Sequence, residues 1–481
     1  MPGIRFYLLP GYLTLSMKII LTFFLTAFFA AAGFLPHDLS AKDRGEKIAD
    51  SLLYFPAKLK GSAPSASLND REFLRYIAKD TWKFFENSTY AKSGFIPDKI
   101  FVKKKNAAHF TSITNIGFYL LCVHQACKLN FISRKEAVKR IGETLYSLSK
   151  LERYDGFFYN WYEFDIMKPS DKYISTVDAG WLYSSLLLIG ELYPKEFGKE
   201  CRELIAEADF TKLYDSKMKA FSLGYRVGEG LSNYHYSLMC SEARISFYLA
   251  AVLNQVPADN WYCLARTLDS TFEQRQKPAG NYKKRKDITY LNGYYLYDGK
   301  IQIVPAWGGS AFEFMMPNLL VDERCSVKGM GLNNKRVVEA QIDYALNKLK
   351  YPVWGLSPCA TPDGGYLEFG VPDLGSSKKS YGDGIISPHA SVICLPYKPK
   401  EVIANLKKML ALYPVYGEYG FYDCIKMDSG EIGDTYLALD QAMIFLAISN
   451  CLTDYALPKT FMKHKGFKRI YNILKHDEFY N

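Results

Sequence analysis

The stretch "LMCSEARISFYLAAVL", residues 238–253, decides the fold. Beyond Arg244 it is apolar on every side, and a helix that is apolar all round is buried. Yet it opens with Glu242 and Arg244, two residues apart. On a helix these point to nearly opposite sides and cannot neutralise each other, so each needs its own partner or task. At helical spacing Glu242 is surrounded by Leu238, Met239, Ile245 and Ser246. A carboxyl emerging from such a stripe is expected to hold its proton, because burial disfavours the anion. That is how a general acid is made.

Five further segments share this character, opening on small polar residues and then running nearly uncharged: 111–126, 175–190, 307–321, 386–395 and 434–449. They alternate with six amphipathic, charged segments, 69–85, 133–152, 194–208, 258–274, 334–350 and 399–413, which read as surface helices. Ser133 followed by Glu136 is a capping box, and Pro194 suits a first turn. Six buried helices interleaved with six amphipathic ones predict an all-α fold, the (α/α)6 toroid of an inner ring inside an outer ring. In that layout the starts of the inner helices converge on one face. "YYLYDGKIQIVP" (294–305), with Asp-Gly between alternating residues, predicts a small β-hairpin decorating it.

Composition bounds the function. The 481 residues are 48% hydrophobic and 23% charged, which fits a globular chain and neither disorder nor a membrane bundle. The net charge of +10 rests partly on two short, isolated basic runs, 103–105 and 283–286, which read as solvated surface, so no nucleic-acid partner is expected. Aromatics make up 15%, many beside Gly, Asp or Asn, which suits flat, hydroxyl-rich ligands. Met17 to Phe34 has the charged start, apolar run and small-residue end of a secretory signal peptide; an uncleaved anchor, hence a membrane tether through this segment, is the alternative. Either reading places the mature chain in the periplasm or outside the cell. Residues 1–36 are read as this signal or anchor, 37–67 (with "GSAPSAS" at 61–67) as a linker, and 68–481 as one domain. The ten cysteines are scattered singly without CxxC or a histidine at ligand spacing, so no metal site or cofactor is expected.

Convergence of the inner-helix starts would collect Asp178, Glu242, Arg244, Trp307, Glu313, His389, Asp434, Asp440 and Gln441. The loops "YGDGIISPH" (381–389) and "YGEYGFYD" (416–423) would add Asp383, Glu418 and Asp423. Carboxyls facing one another among aromatics are what glycoside hydrolysis requires: one protonates the leaving oxygen, another activates water or attacks carbon. Neither GxSxG nor a P-loop is present to support another chemistry.

In order along the chain, "TSITNIGFYLL", "FYNWY", "ISTVDAGWL", "SEARISFYLA", "WGGSAFEFMMP", "WGLSPCATPDGGY", "DGIISPHASV", "YGEYGFYD" and "LALDQAMI" resemble the glycoamylase-like domain of β-1,2-glucan enzymes. That group comprises bacterial endo-β-1,2-glucanases and the similar domain of cyclic β-1,2-glucan synthases. The resemblance runs from about Asn69 to Ile473 and implies an (α/α)6 fold acting on β-1,2-linked glucose polymers. It implies that Glu242 is the general acid and Asp178 an essential acidic residue. Here the chain departs from the glucanase branch, which has an Asp- and Glu-rich run; "STVDAGW" keeps one carboxylate and looks more like the synthase domain, which transfers sugars to sugars.

Each candidate has a plainer reading. Glu242 could join a buried ion pair, and Asp178 could complete a capping box with Ser175. Glu313 could be a core hydrogen-bonding residue, His389 a satisfied structural histidine, Asp440 and Gln441 could tie two helices together, Glu418 and Asp423 could stabilise a turn, and Trp307 could be core. The function expected is an exported, endo-acting β-1,2-glucan hydrolase; the alternatives are a transglycosylase and a non-catalytic glucan-binding protein.

Overall fold

The computed structural model describes residues 61–379 and 381–480. The segment 17–34, read as a signal or anchor, and most of the expected linker lie outside the described residues. The last part of that linker is packed: Pro64 is buried, the Gly61 N–H donates to the Tyr416 carbonyl at 3.2 Å, and Tyr76 donates to the Ser62 carbonyl at 3.0 Å. Among the described residues no helix is long and apolar enough to cross a membrane.

Thirteen α-helices are described: α1 (Asp70–Ser88), α2 (Ile113–Lys128), α3 (Arg134–Lys150), α4 (Thr176–Leu192), α5 (Gly198–Glu207), α6 (Arg244–Val252), α7 (Ala311–Met315), α8 (Met330–Asp343), α9 (Pro388–Val392), α10 (Pro399–Leu412), α11 (Ala438–Leu452), α12 (Ala456–Lys463) and α13 (Lys468–His476). The apolar set is α2, α4, α6, α7, α9 and α11. α2 packs on α4, α4 on α6, α7 on α9, α9 on α11, and α11 back on α2. The remaining junction is made by Arg244 of α6, whose guanidinium donates to the Glu313 and Phe314 carbonyls of α7 at 2.9 and 2.5 Å. Two glycines set the closest approaches: a Cβ on Gly117 would stand 3.0 Å from the Leu182 Cα, and one on Gly180 would stand 2.1 Å from the Ser246 Oγ. Only glycine lets these backbones come so near.

Most apolar helices are entered the same way, directly from a short strand. Strand Phe110–Ser112 precedes α2, Tyr173–Ser175 precedes α4, Ile385–Ile386 precedes α9 and Thr435–Leu437 precedes α11. Each strand pairs with a neighbour, 110–112 with 161–163 and 173–175 with 224–226, 385–386 with 425–426 and 435–437 with 99–101. Ser112, Ser175 and Ser310 cap their helices by accepting from a backbone N–H, so the small polar residues seen in the sequence are N-caps. The hairpin expected at 294–305 is present, 295–297 against 301–303, with Asp298 and Gly299 both at positive φ in its turn.

The structure corrects the helical lengths. The segment 258–274 is not an amphipathic helix but a 3-10 turn, 258–263, followed by a bridge at Ala265 and a turn over 269–272. Its backbone is diverted, since the Ala265 N–H donates to the Ser237 carbonyl and its own carbonyl accepts from Met239. Trp261 and Arg266 both turn to Asp477, at 2.9 and 2.5 Å. α13, just before Asp477, packs against both this turn and α6, where the sequence pattern had placed an outer helix. The 307–321 segment is helical over 311–315 only and passes into a 3-10 turn at Pro317, which lacks the N–H to continue. α6 itself begins at Arg244, and Glu242 lies in the turn before it.

Candidate active site

That turn is tight: Arg244, Ile245 and Ser246 donate to the carbonyls three residues earlier, Ser241, Glu242 and Ala243. The Glu242 carboxylate, half-buried, accepts from the Ser241 hydroxyl at 3.2 Å. Burial first, then the negative charge of Glu313, pushes its carboxyl up to about 7. Arg244 does not neutralise it. Its side chain is wholly buried and pairs with Glu323 through Nε and Nη2 at 2.7 and 2.8 Å. Glu323 also accepts from Tyr248, Asn318 and Asn334 at 2.7, 2.9 and 2.7 Å. The expected sugar contact by Arg244 is therefore replaced by a role in the core. Glu323 was missed because "VDERC" (321–325) reads as a charged loop.

Glu313 is corrected similarly. It forms a capping box with Ser310, and its two oxygens accept from the N–H groups of Trp307, Gly308 and Ser310 at 2.8–2.9 Å. Burial raises its pKa against these bonds. Its contacts are internal, and they fix the loop that carries the half-buried Trp307. Tyr381 lies on that loop, since a Cβ on Gly308 would stand 2.1 Å from its ring. The Tyr381 phenol is pushed up by burial and by the charges of Glu313, Glu368 and Glu242, which places the four together.

Glu368, absent from the sequence reading, is the second unusual carboxyl here. It follows the strand Tyr366–Leu367, and burial with the charges of Glu313 and Glu242 raises it to about 7. The signal was a lone glutamate in "YLEFG" (366–370), just beyond a motif already recognised.

Asp178 is the third residue of α4. Ser175 and Thr114 each donate a hydroxyl to it at 2.6 Å, and the Asn160 amide, oriented to accept from Trp161 Nε1, donates to Oδ2 at 3.0 Å. Burial raises its pKa while the two hydroxyls oppose the rise. Ser175 also accepts from the Asp178 N–H, so the helix cap rests on the serine rather than on the carboxyl. The buried Tyr236 phenol feels first Glu242, then Tyr173 and Asp178, which sets Asp178 and Glu242 around one tyrosine.

A third group lies deeper. His389, Asp423 and Asp440 are only 1–2% exposed, too enclosed for the sugar contacts expected of them. His389 Nδ1 is 2.5 Å from the Ser387 hydroxyl and 3.0 Å from Asp440 Oδ2, and Nε2 is 2.9 Å from Ser357. Burial lowers His389 to about 4 and raises Asp440 to about 7. Asp423 is raised by burial and by Asp440, and accepts from the Ala360 N–H at 2.5 Å. The three offer ligand atoms within 4.8 Å of one another, close enough to share a metal ion, and Asp423 Oδ1 and Asp440 Oδ2 are buried without a hydrogen-bond partner. Gln441 is buried and donates to the Phe421 carbonyl at 3.0 Å, tying α11 to a hairpin instead of meeting ligand. The Tyr366 phenol is raised by burial and then by Asp440, Asp423 and Glu368, so it lies near carboxyls of both groups.

The loop residues remain peripheral. Asp383 is exposed and accepts from Tyr344 at 3.1 Å. Glu418 occupies the tip of the hairpin 416–421 near the Tyr422 phenol. Asp434 accepts from the Lys103 N–H at 2.7 Å.

Comparison with known proteins shows what this chain is similar to. Residues 235–465 match the family described as "Glycoamylase: Putative glucoamylase", and 76–223 match one described as a protein of unknown function (DUF3131). The cyclic β-(1,2)-glucan synthase NdvB of Rhizobium meliloti is 22% identical over 81% of this chain and 18% of its own length. The exo β-1,2-glucooligosaccharide sophorohydrolase of Parabacteroides distasonis is 19% identical over 86% of this chain and 59% of its own. The chain thus spans about a fifth and three fifths of these two relatives. The endo-β-1,2-glucanase of Chitinophaga pinensis, solved with sophorotriose and glucose, has the same fold: TM-score 0.68, 17% identity, 84% of this chain and 98% of that one. An endo-β-1,2-glucanase of Talaromyces funiculosus, solved with sophorose, superposes with TM-score 0.64 at 12% identity over 85% and 88%. Over residues 235–465 the chain matches the glycoamylase model, and over most of its length it is similar to β-1,2-glucan enzymes.

Proposed function

We propose that this chain is a glycoside hydrolase acting on β-1,2-glucan, with Glu242 as the general acid. The observation that carries the reading is a half-buried carboxyl raised to about 7 at the mouth of a ring of helices, beside Glu368 and among Tyr236, Tyr381 and Trp307. An acid must be protonated while substrate is bound, and a pKa near neutrality permits this. Glu242 would donate its proton to the glycosidic oxygen as the C1–O bond breaks. Asp178, held by two hydroxyls and an amide, is the carboxylate proposed to receive a proton from the attacking water. The ring, closed from α2 through α11, supports the (α/α)6 toroid as the architecture, with α13 taking one outer position.

The match to the synthase and the single carboxylate in "STVDAGW" favour one second reading, transfer of the glycosyl group to another sugar. Linear β-1,2-glucan incubated with the protein separates the outcomes. New reducing ends with falling chain length mean hydrolysis, and short to mid-length products mean endo action. Redistribution of lengths without new ends means transfer. Neither change, with glucan retained, leaves a binding protein and defeats the proposal. Export to the periplasm or medium, by cleavage or through an N-terminal tether, is proposed from residues 17–34 alone. Fractionation of cells expressing the full chain tests it.

A further inference from the structure

We infer that Cys359 and Cys424 close to a structural disulfide, stapling together the two segments that hold Asp423. Both thiols are fully buried, and the Cys359 thiol is hydrogen-bonded to Cys424. The surrounding backbone brings them together independently. Ala360, next to Cys359, donates its N–H at 2.5 Å to Asp423, next to Cys424. Cys424 lies opposite Gly433 in the strand register, where a Cβ would stand 2.8 Å from the Cys424 sulfur and 3.6 Å from the Ala360 carbonyl. The missing side chain at 433 is the space into which that sulfur turns, toward 359–360.

The oxidant is a small-molecule or protein disulfide, R–S–S–R. One cysteine thiolate attacks it, forming a mixed disulfide and expelling R–S⁻, which takes up the proton. The other cysteine then attacks the first one's sulfur, forming the Cys359–Cys424 bond and releasing the second R–S⁻. Two thiols are oxidised and one disulfide is reduced to two thiols. Burial holds the Cys359 thiol well above its ordinary range, so the thiolate is scarce in the folded protein. The bond therefore forms during folding or local opening, and once made is shielded from reductant. Closing a loop of 65 residues restrains the unfolded chain and raises Tm by on the order of 5 °C.

The test uses the full chain, refolded from guanidinium in an oxidised/reduced glutathione buffer, then unfolded, alkylated with iodoacetamide and mapped by mass spectrometry. The expected result is a peptide linking 359 to 424, absent in Cys359→Ser and in Cys424→Ser. The oxidised wild type should melt above both variants, and above itself after reduction under denaturing conditions and refolding with reductant. Both cysteines alkylated in the oxidised wild type, or either joined to a different cysteine, would overturn the inference. Neither result bears on whether the protein cleaves glucan.

Discussion

Replacing Glu242 by Gln should abolish turnover and, at alkaline pH, make the protein more stable. Glu242 has its pKa raised from the ordinary 4.5 to about 7. Below pH 4.5 both folded and unfolded chains are protonated there and burial costs little. Between 4.5 and 7 the unfolded chain gives up the proton and the folded one keeps it, so stability falls as pH rises, and above 7 the loss is complete. A difference of about 2.5 at about 1.4 kcal/mol per pH unit gives roughly 3.5 kcal/mol. The carboxyl is only half-buried and partly hydrated, which reduces this to about 1–3 kcal/mol. With an unfolding entropy of about 2.1 cal/mol/K per residue over roughly 420 described residues, the gain is about 1–3 °C in Tm. Calorimetry at pH 5 and pH 8.5 should show the Gln variant gaining on wild type only at the higher pH. In parallel, the wild-type rate should fall along an alkaline limb near pH 7. In Glu242→Gln, a dinitrophenyl glycoside, whose leaving group departs without a proton, should restore part of the rate with no such limb. A Tm gap that is the same at both pH values refutes the raised pKa, and an alkaline limb that survives in the rescued variant refutes the assignment of the acid.

Arg244→Met should lose about 3–5 kcal/mol of stability in urea unfolding, because Glu323 would be left as a buried charge without its cation; removing Glu323 as well, with Gln, should recover part of that loss. Asp178→Asn should lower turnover by at least about a hundredfold while Tm moves little, since Ser175 still caps α4; a Tm loss on the scale of the rate loss would return Asp178 to a structural role. Trp307→Ala should raise KM more than it lowers kcat if the half-buried ring stacks on sugar, and unchanged KM with a fall in Tm would place it in the core.

By itself the sequence determined what depends on local pattern. Uncharged runs opening on Ser or Thr became buried helices capped by Ser112, Ser175 and Ser310, and Asp298-Gly299 became a hairpin turn, because caps and turns are set by a few adjacent residues. The raised carboxyl expected at Glu242 is present, but Glu242 stands in the turn before α6 and part of its shift comes from Glu313. What only the tertiary structure decided is who meets whom across long separations. The charge of Arg244 is answered by Glu323, 79 residues on, and the helix expected at 258–274 yields to a strand-like bridge and to Asp477, over 200 residues on. Glu368 reaches the Glu242 cluster from a strand that carries no local mark of a site. Whether a carboxyl is a solvated charge, a helix cap or an acid depends on burial and on neighbouring charge, and both are properties of the folded chain rather than of any window of sequence.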